Sequence, residues 1–433
     1  MEKFRTFKDM KQAEVVEEYC GNGEPPLRCS AVLSTGFGKS KLSIDIIKRL
    51  NPSKVLILVN SDDLRRYSWK EEFEKFDYID KFNNDVIVET YQSACKWRRL
   101  EKNLDGYFVV ADEVDFAAST EVYSNFFYEY PELRILGLTG FITEAKYAWF
   151  NTHLPVFYNF TAQQAQDEYI LNRLHFTFVK VDLSRNKSDI TVKRKNGSTH
   201  FTQSQNDAYD FIQKSIDDTA KKIKDLELQY FTAKDTLDIL DYQVQTAKLE
   251  SKIRSLASRR REILLGSKTS IETAKGLVNY SHENIPDSKV VVFSKRTSTS
   301  EEVVGPDHTY NGKKSQKLNK IVMDKFRSGD TNVLGVCDKI NRGVNIPGLN
   351  VAVFESFFGS DTKATQRFGR LLRLPPKQLG IIFIILPYYT SKEDNHTTSR
   401  KTKQVDWATS MIRSTKITSH NVWDYRLIKN ELK

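Results

Sequence analysis

Short apolar runs separated by amphipathic segments are the feature of this sequence that most constrains its fold. The first 142 residues contain five such runs: Arg28–Ser34, Val55–Asn60, Asp85–Thr90, Phe108–Ala111 and Ile135–Thr139. Four more follow a long polar stretch: Val290–Phe293, Val333–Val336, Val351–Phe354 and Ile381–Leu386. Continuous apolarity is typical of strands that are buried on both faces of a parallel sheet. The sequence therefore predicts an α/β protein with two parallel-sheet domains.

The length of the chain agrees with two domains. A chain of 433 residues with 39% hydrophobic content can bury two sizeable cores, because single domains usually stop growing at roughly 250 residues. We expect the first domain over residues 1–170 and the second over residues 268–390. The tail, residues 391–433, is basic around Arg400–Lys403 and partly apolar beyond it, which indicates a loop followed by terminal helices.

Between the two domains the pattern changes twice. Residues 171–204 contain two alternating runs, and Asn196-Gly197 after the second is a strong hairpin signal. Residues 205–267 contain no Pro, and no Gly before Gly266, which favours long helices. Apolar residues recur there at spacings of three, four or seven: Leu226, Tyr230, Leu237, Leu240, Val244, Leu249, Ile253 and Leu256. We expect a β-hairpin connector and then a helical, coiled-coil-like arm, whose mixed charge also fits an ordinary solvated face.

The charge balance favours a polyanionic partner. The formal net charge is +10 and the pI is near 9.1, a balance that fits nucleic acid, an anionic membrane or simple solubility. No stretch approaches the roughly 20 apolar residues of a membrane span, and the N-terminal segment lacks the apolar core of a signal peptide. We therefore expect a cytoplasmic protein with no membrane partner. The four cysteines have no CxxC spacing and no histidine cluster beside them, so no zinc site is predicted.

The segment AVLSTGFGKSKLSIDII combines a strand, a glycine-rich turn and an amphipathic helix, which is the context that a phosphate-binding loop requires. Gly36 and Gly38 let backbone N–H groups close around phosphate oxygens, and a helix that begins near Lys39 offers its positive end. Lys39 would reach the outer phosphates and Ser40 would ligate Mg²⁺. The predicted ligands are ATP and Mg²⁺, and the predicted nucleotide-binding residues of this segment are Ser34, Thr35, Gly36, Phe37, Gly38, Lys39 and Ser40. Leu33 replaces the first glycine of the strict GxxxxGKS pattern.

A second element, GYFVVADEVDFA, places carboxylates directly after an apolar strand. The carboxyl ends of parallel strands open toward ligand. Asp112 would hold Mg²⁺, directly or through water, and Glu113 would orient and deprotonate the water that attacks the γ-phosphate. An acidic turn that caps a helix is the ordinary alternative, but the position of this element after a phosphate-binding loop favours the catalytic interpretation.

Taken in order, these motifs resemble those of the superfamily 2 helicases. ILGLTGFIT resembles the third motif of the family, in which Thr139 would link the nucleotide state to nucleic-acid binding. VIVETYQSA resembles a segment whose Thr90 and Gln92 would contact the nucleic-acid backbone, and LILVNSDDLRRYSWKEEFEKF resembles the strand and tryptophan-bearing helix before it. The resemblance also suggests Gln12 as the residue that reads adenine, with a solvated helix residue as the equal alternative.

The resemblance continues in the second domain. QRFGRLLR is very close to the family pattern QRxGRxxR, and it implies that Gln366 and Arg367 line the nucleotide site. Arg370 and Arg373 stand three apart on one helical face, so both guanidinium groups can point at the γ-phosphate, and either would be the arginine finger. Two neighbouring motifs supply the remaining implied contacts: Gly343 and Asn345 at the nucleotide, and Ser294, Lys295 and Arg296 at nucleic-acid phosphates.

The resemblance implies two RecA-like domains in tandem and an ATPase that moves along nucleic acid, but a fold alone does not give the substrate. The TGF and QRFGR motifs, and the absence of DEAD or DEAH, are closer to DNA-acting relatives such as the phage UvsW-type helicases and XPB-like proteins. The leading hypothesis is a DNA helicase or translocase acting on branched or forked DNA in replication, recombination or repair, in the host cytoplasm if phage-encoded. An RNA-dependent ATPase and a non-catalytic nucleic-acid clamp are the alternatives.

Overall fold

The structure is a computed structural model that describes residues 2–424, apart from residues 22, 61, 63–64, 66–68, 98–101, 194–199, 231–235, 338–347, 357–373, 376–377 and 390–419. The chain divides into two compact units. The first is formed by Met1–Leu174 and the second by His175–Lys339, and the later segments are shared between them. None of the described helices is long and apolar enough to cross a membrane.

The first unit contains a six-stranded sheet with the order β3–β2–β4–β5–β1–β6, in which every neighbouring pair is parallel. Its strands are β1 (Arg28–Leu33), β2 (Lys54–Val59), β3 (Val86–Thr90), β4 (Tyr107–Asp112), β5 (Arg134–Thr139) and β6 (Val156–Phe160). Its α-helices are α1 (Glu2–Cys20), α2 (Lys39–Leu50), α3 (Trp69–Lys75), α4 (Ile79–Asp85), α5 (Tyr91–Ala94), α6 (Glu121–Glu129), α7 (Tyr147–His153) and α8 (Ala162–Asp167). Because all six strands run the same way, their carboxyl ends share one edge.

Both faces of this sheet are buried. In β2, Val55, Ile57 and Val59 pack into one apolar cluster, whereas Leu56 and Leu58 pack into a second cluster on the opposite face. All five side chains are fully buried, and burial of each contributes about 1.5–3 kcal/mol relative to exposure. Two-sided burial is the reason that the strand reads as a continuous apolar run.

The second unit contains a seven-stranded sheet with the order β11–β12–β10–β13–β14–β7–β15, and a separate antiparallel pair, β8–β9. The strands are β7 (Arg173–Asp182), β8 (Ile190–Lys193), β9 (His200–Gln203), β10 (Val290–Ser294), β11 (Thr309–Tyr310), β12 (Val333–Cys337), β13 (Val351–Phe354), β14 (Leu379–Tyr388) and β15 (His420–Asp424). The helices are α9 (Gln205–Tyr230), α10 (Thr236–Leu265), α11 (Lys268–Asn284), α12 (Thr297–Val304) and α13 (Gln316–Ser328). From β11 through to β14, each neighbouring pair is parallel.

The two parallel-sheet domains predicted from the sequence are confirmed, and the nine predicted strands begin and end within two residues of the observed ones. The range 171–204, predicted as a hairpin connector, has a different structure in its first part. β7 lies in the second sheet, where Phe178, Val179 and Val181 are buried, and it pairs with β15. In the described part of this range, β8 and β9 form an antiparallel pair, and the predicted turn at Asn196-Gly197 lies outside the described residues. The strand β15 also corrects the prediction of a loop and terminal helices for residues 391–433, because His420–Asp424 is extended and pairs with β7.

The helical insertion is an antiparallel pair formed by α9 and α10. The rings of Tyr230 and Tyr242 stack with their centroids 4.4 Å apart. At the opposite end of the pair, Arg260 donates a hydrogen bond to Gln213. Leu240 and Val244, predicted as parts of an apolar stripe, are 55% and 66% exposed. A pair of helices buries one stripe of each helix, so an apolar residue on another face stays exposed.

Candidate functional site

The carboxyl edge of the first sheet brings together three of the predicted motifs. β4, β5 and β1 are neighbours in the sheet. Their register places Asp112 opposite Leu138, and Thr139 opposite Val32. The loop after β1, the acidic turn after β4 and the end of β5 therefore lie side by side, at the edge where parallel sheets bind ligands.

Two glycines shape the loop after β1. Gly36 and Gly38 have φ angles of 95° and 94°, which glycine adopts without strain. Phe37 is fully buried, with its ring centroid 5.5 Å from that of Phe160, so its side chain anchors the loop in the core and only its backbone can face a nucleotide. α2 begins at Lys39 with no side-chain cap hydrogen bond. Its first N–H groups therefore point toward the position that a phosphate would take.

The lysine of the loop lies close to the end of β5. Lys39 Nζ is 3.4 Å from the backbone oxygen of Leu33. A Cβ added to Gly140 would lie 3.8 Å from Lys39 Nζ and 3.3 Å from Thr35 Oγ1. The glycine of the TGF motif thus keeps space beside the loop. Ser34 is buried, whereas Thr35, Lys39 and Ser40 are half-buried.

Helix α1 holds the loop from its other side. Gln12 is only 1% exposed, and its Nε2 donates to the backbone oxygen of Phe37 at 2.7 Å. Its Oε1 is buried without a hydrogen-bond partner among the described residues. One turn earlier, Lys8 Nζ donates to the backbone oxygen of Gly36 at 2.7 Å. The interpretation of Gln12 as a solvated residue is wrong, because the packing of α1 against α2 buries it, and its Oε1 is an acceptor suited to the adenine amino group.

The acidic turn is held at the backbone of Asp112 and at the carboxylate of Glu113. Tyr91 donates to the backbone oxygen of Asp112 at 2.9 Å and fixes the end of β4. Glu113 has a φ of 49°, in the left-handed region, which is uncommon for a residue with a side chain and recurs at functional sites. It precedes a short 3₁₀ helix, Val114–Ser119, but makes no side-chain cap hydrogen bond. Instead, Asn60 Nδ2 donates to Glu113 Oε2.

The last residue of the DEVD sequence is tied to the end of β5. Thr139 Oγ1 donates to Asp115 Oδ1 at 3.0 Å, and both residues are buried. Lys146 Nζ lies 2.6 Å from the backbone oxygen of Asp115 and 3.4 Å from its Oδ2. A rigid link therefore joins the acidic turn to the segment after β5. Thr139 has no exposed surface, so a link from it to nucleic acid would pass through the residues that it contacts.

The residues present fit a magnesium ion. Mg²⁺ prefers oxygen ligands and is usually held by one or two carboxylates together with phosphate oxygens and water. Asp112 and Ser40 are such a set of hard oxygen donors, one at the end of β4 and one in the first turn of α2. No cluster of three or more potential metal-ligating His, Cys, Asp or Glu side chains occurs in the described part of the chain, so an ion here would rely on the phosphates of the nucleotide.

The predicted nucleic-acid contacts after β3 differ in accessibility. Thr90 is buried, and its hydroxyl caps α5 by accepting from the Ser93 backbone N–H at 3.2 Å. Gln92 is exposed, and its Nε2 donates to the Tyr123 hydroxyl at 3.0 Å. The ring of Tyr123 stacks on that of Phe116, 5.0 Å away. Gln92 can therefore meet a ligand, whereas the burial and capping role of Thr90 remove its hydroxyl from such a contact.

The predicted nucleic-acid contacts after β10 also differ in accessibility. Ser294 is buried, so a phosphate cannot reach it in this structure. The backbone N–H of Lys295 donates to Ser356 Oγ at 2.9 Å. Arg296 donates to both the backbone oxygen and the carboxylate of Glu262, near the end of α10. Arg296, which the sequence predicts to contact a phosphate, is thus bound to Glu262 of the arm.

A carboxyl group is buried at the same edge of the second sheet. Glu355 follows β13 and is almost fully buried. Burial raises the pKa of Glu355 to about 7, because a carboxylate loses its hydration in the interior. The remaining predicted residues of this domain lie outside the described residues: Gly343, Asn345, Gln366, Arg367, Arg370 and Arg373.

Three residues that contact the site were not predicted as site residues: Asn60, Lys8 and Lys146. Asn60 directly follows β2, and the rule that parallel strands present ligand-binding residues at their carboxyl ends could have identified it. Lys8 is four residues before Gln12 on α1 and so shares its helical face. The sequence around Lys146 carries no comparable signal, because its contact with Asp115 depends on the fold between β4 and α7.

A parallel sheet whose first loop presents glycines, a lysine and a helix N-terminus beside a pair of carboxylates defines a P-loop ATP-binding domain. Two family models match the chain. The Type III restriction enzyme, res subunit, matches residues 8–144, and the Helicase conserved C-terminal domain matches residues 270–375. These two domains are those of a superfamily 2 helicase, an ATP-hydrolysing enzyme.

Individual proteins agree with this assignment. XPB2 of Sulfurisphaera tokodaii, a DNA 3′–5′ translocase, is 23% identical over 376 residues, which is 82% of this chain and 76% of XPB2. The Hef helicase domain of Pyrococcus furiosus has the same fold, with a TM-score of 0.51 and 18% identity over 91% of this chain and 98% of Hef. Dbp5 of S. cerevisiae, in its structure bound to RNA and ADP BeF3, gives a TM-score of 0.55 and 11% identity over 97% of this chain and 92% of Dbp5.

Proposed function

We propose that this protein is a DNA helicase or translocase that acts on branched or forked DNA in replication, recombination or repair. The observation that carries the DNA assignment is the likeness to XPB2, a DNA translocase, over 82% of the chain. The net charge of +10 supports a polyanionic partner, because phosphate neutralisation by Lys and Arg supplies most non-specific affinity for nucleic acid. The same likeness suggests movement in the 3′–5′ direction.

The proposed ATP site is the carboxyl edge of the first sheet. Lys39 and the backbone N–H groups of the loop hold the phosphates, and Gln12 is the proposed adenine-reading residue, a role that requires its buried Oε1 to become accessible when ATP binds. Asp112 and Ser40 are the proposed ligands of Mg²⁺, which when bound would neutralise charge on the β- and γ-phosphates. Glu113 orients the attacking water and accepts its proton.

Coupling of hydrolysis to nucleic acid is assigned to two groups of residues. The link from Asp115 through Thr139 to Lys146 joins the acidic turn to the segment after β5, so a change at the γ-phosphate can be transmitted along it.

Arg370 and Arg373 are proposed to stabilise charge during phosphoryl transfer. Alanine at either position should keep ATP binding and lower the turnover number by about 10²- to 10³-fold, measured by steady-state hydrolysis and by fluorescent-nucleotide binding.

Stimulation of ATP hydrolysis by different nucleic acids tests the substrate. The rate is measured with forked DNA, linear duplex DNA, single-stranded DNA and single-stranded RNA of matched length, at one salt concentration because affinity depends on salt. We expect forked DNA to stimulate most. Stronger stimulation by RNA would replace the DNA assignment with an RNA-dependent ATPase, and equal stimulation by linear and forked DNA would remove the branch preference. Partial duplexes with a 3′ or a 5′ single-stranded tail then test the direction.

The arm formed by α9 and α10 is proposed to engage DNA at the fork. Replacement of residues 222–259 by a short Gly-Ser turn keeps the base of the arm, where Gln205 Nε2 donates to the backbone oxygen of Gly266 at 2.6 Å. We expect this variant to keep basal ATP hydrolysis and to lose most of its unwinding of forked DNA. Unchanged unwinding would exclude the arm from the mechanism.

A further inference from the structure

The end of β2 lies beside the catalytic turn at the end of β4. These two strands are parallel neighbours, and their register pairs Val55 with Phe108 and Leu58 with Ala111. Continued by two residues, this register places Asn60 opposite Glu113. The two side chains are therefore brought together by the pairing of β2 with β4, since each residue directly follows its strand.

The contact between them is specific. Asn60 Nδ2 donates to Glu113 Oε2, and Asn60 Oδ1 is buried without a hydrogen-bond partner in the described part of the chain. Val59, the residue before Asn60, is fully buried on one face of the sheet, so the backbone that carries the amide is fixed. Glu113 itself has a left-handed backbone, with φ and ψ both 49°, which turns it out of the strand that holds Asp112.

We infer that Asn60 is a positioning residue for Glu113 in ATP hydrolysis. This inference rests on the proposed role of Glu113 as the general base. A carboxylate can accept hydrogen bonds at both oxygens, and the amide donor at Oε2 sets the orientation in which the carboxylate of Glu113 accepts the proton of the attacking water. A base that is itself held by a third group is the recurrent arrangement at sites that activate a nucleophile. The left-handed backbone sets the direction in which the side chain of Glu113 leaves the chain, and the Asn60 amide adds a contact at its carboxylate.

Loss of the amide should therefore affect turnover and not nucleotide binding. Misplacement of a catalytic group by about 1 Å can cost on the order of 10²-fold in rate. For Asn60→Ala we expect the turnover number to fall about 10- to 100-fold, with KM for ATP changed less than about twofold. Basal and DNA-stimulated rates should fall by the same factor, because both include the same chemical step. Asn60→Asp keeps the shape, removes the donor and places a second negative charge beside Glu113, so it should lose at least as much.

The test is a double-mutant cycle on the full chain. Wild type, Asn60→Ala, Glu113→Gln and the double variant are compared in single-turnover ATP hydrolysis, and fluorescent ADP binding checks the fold of each. Asn84→Ala is the matched control, because Asn84 is exposed and its Nδ2 donates within its own helix, to the backbone oxygen of Asp80. If Asn60 acts through Glu113, its replacement should change the rate less than about twofold once Glu113 is already glutamine.

The possible outcomes separate the inference from the proposed function. A wild-type or faster rate in Asn60→Ala, while Glu113→Gln is inactive, would leave the base in place and overturn the positioning role. A further large loss on adding Asn60→Ala to Glu113→Gln would also overturn it, because Asn60 would then act elsewhere. Loss of the stimulated rate alone would make Asn60 a coupling residue and contradict the inference. Wild-type hydrolysis by Glu113→Gln would overturn both the proposed base and the role of Asn60.

Discussion

The carboxyl edges of the two sheets have the same architecture but different chemistry. At the first edge Lys39, Asp112 and Glu113 remain half-buried and can meet a ligand. At the second edge the polar groups Ser294, Glu355 and Ser356 are buried, and Arg296 is held by Glu262 of the arm. Parallel strands create a ligand-binding edge in both sheets. Among the described residues, one edge thus presents a half-buried lysine and two half-buried carboxylates, whereas the other buries its carboxyl group, so the side chains and not the sheet set the chemistry of each edge.

The largest expected effect lies at the first edge. Lys39→Ala removes the charge that meets the outer phosphates, and we expect ATP hydrolysis to fall by about 10²- to 10³-fold. Lys41→Ala is the control, since Lys41 lies on the same helix but pairs with Asp9 and Asp45 and should keep the wild-type rate. The measurement is the steady-state rate of ATP hydrolysis by both variants and by wild type. Wild-type hydrolysis by Lys39→Ala would contradict the assignment of the ATP site to the carboxyl edge of the first sheet.

The buried carboxyl of the second edge should make stability depend on pH. The pKa of Glu355 is about 7 in the fold, above its ordinary 4.5. The contribution of this group to the free energy of unfolding is therefore fully present below about pH 4.5 and is lost as pH rises through 7. Glu355→Gln removes this loss and should be more stable than wild type at pH 8 by up to about 3 kcal/mol. Urea unfolding at pH 5 and pH 8 measures the difference. The exposed Glu302→Gln should leave the pH dependence unchanged, and an equal pH slope in Glu355→Gln and wild type would contradict the prediction.

A smaller effect is expected in the link behind the first edge. Lys146→Met leaves the buried Asp115 carboxylate without the ammonium group that lies 3.4 Å from it. An unsatisfied buried group costs about 1–3 kcal/mol, so we expect the free energy of unfolding to fall by that amount. Lys146→Arg keeps the charge and should recover most of the loss. Thermal unfolding of the three proteins is the measurement, and equal stability of Lys146→Met and wild type would argue against the link.

The smallest effect concerns the arm and the second edge. Glu262→Ala releases Arg296, and we expect affinity for forked DNA at low salt to rise by no more than about fivefold, because exposed ion pairs contribute at most about 1 kcal/mol. Glu250→Ala is a matched control on the same helix, where Glu250 pairs with Arg254 and not with a predicted phosphate contact. Titration of labelled DNA with both variants separates the specific release of Arg296 from the general gain of positive charge. Equal gains in the two variants would remove Arg296 from the DNA-binding surface.

Much of the fold could be predicted because its determinants are local. The strands were predictable from continuous apolar runs, since a strand buried on both faces has no polar face to show. The loop after β1 was predictable because Gly36, Gly38 and Lys39 follow one another in the chain. By contrast, the alternating run that forms β7 suggested a connector, and only its buried position in the second sheet decides otherwise.

The sequence by itself determined the two α/β domains, the phosphate-binding loop and the acidic turn, because each depends on residues that are close in the chain. The tertiary structure decided how these parts are held. It buries Gln12 beneath the loop, joins Asn60 to Glu113 across 53 positions and ties Arg296 to Glu262 across 34. Such contacts are set by the order of strands and the packing of helices, which bring together residues that no local pattern connects. The catalytic turn can thus be recognised in the sequence, whereas the amide that holds its carboxylate is found only in the folded sheet.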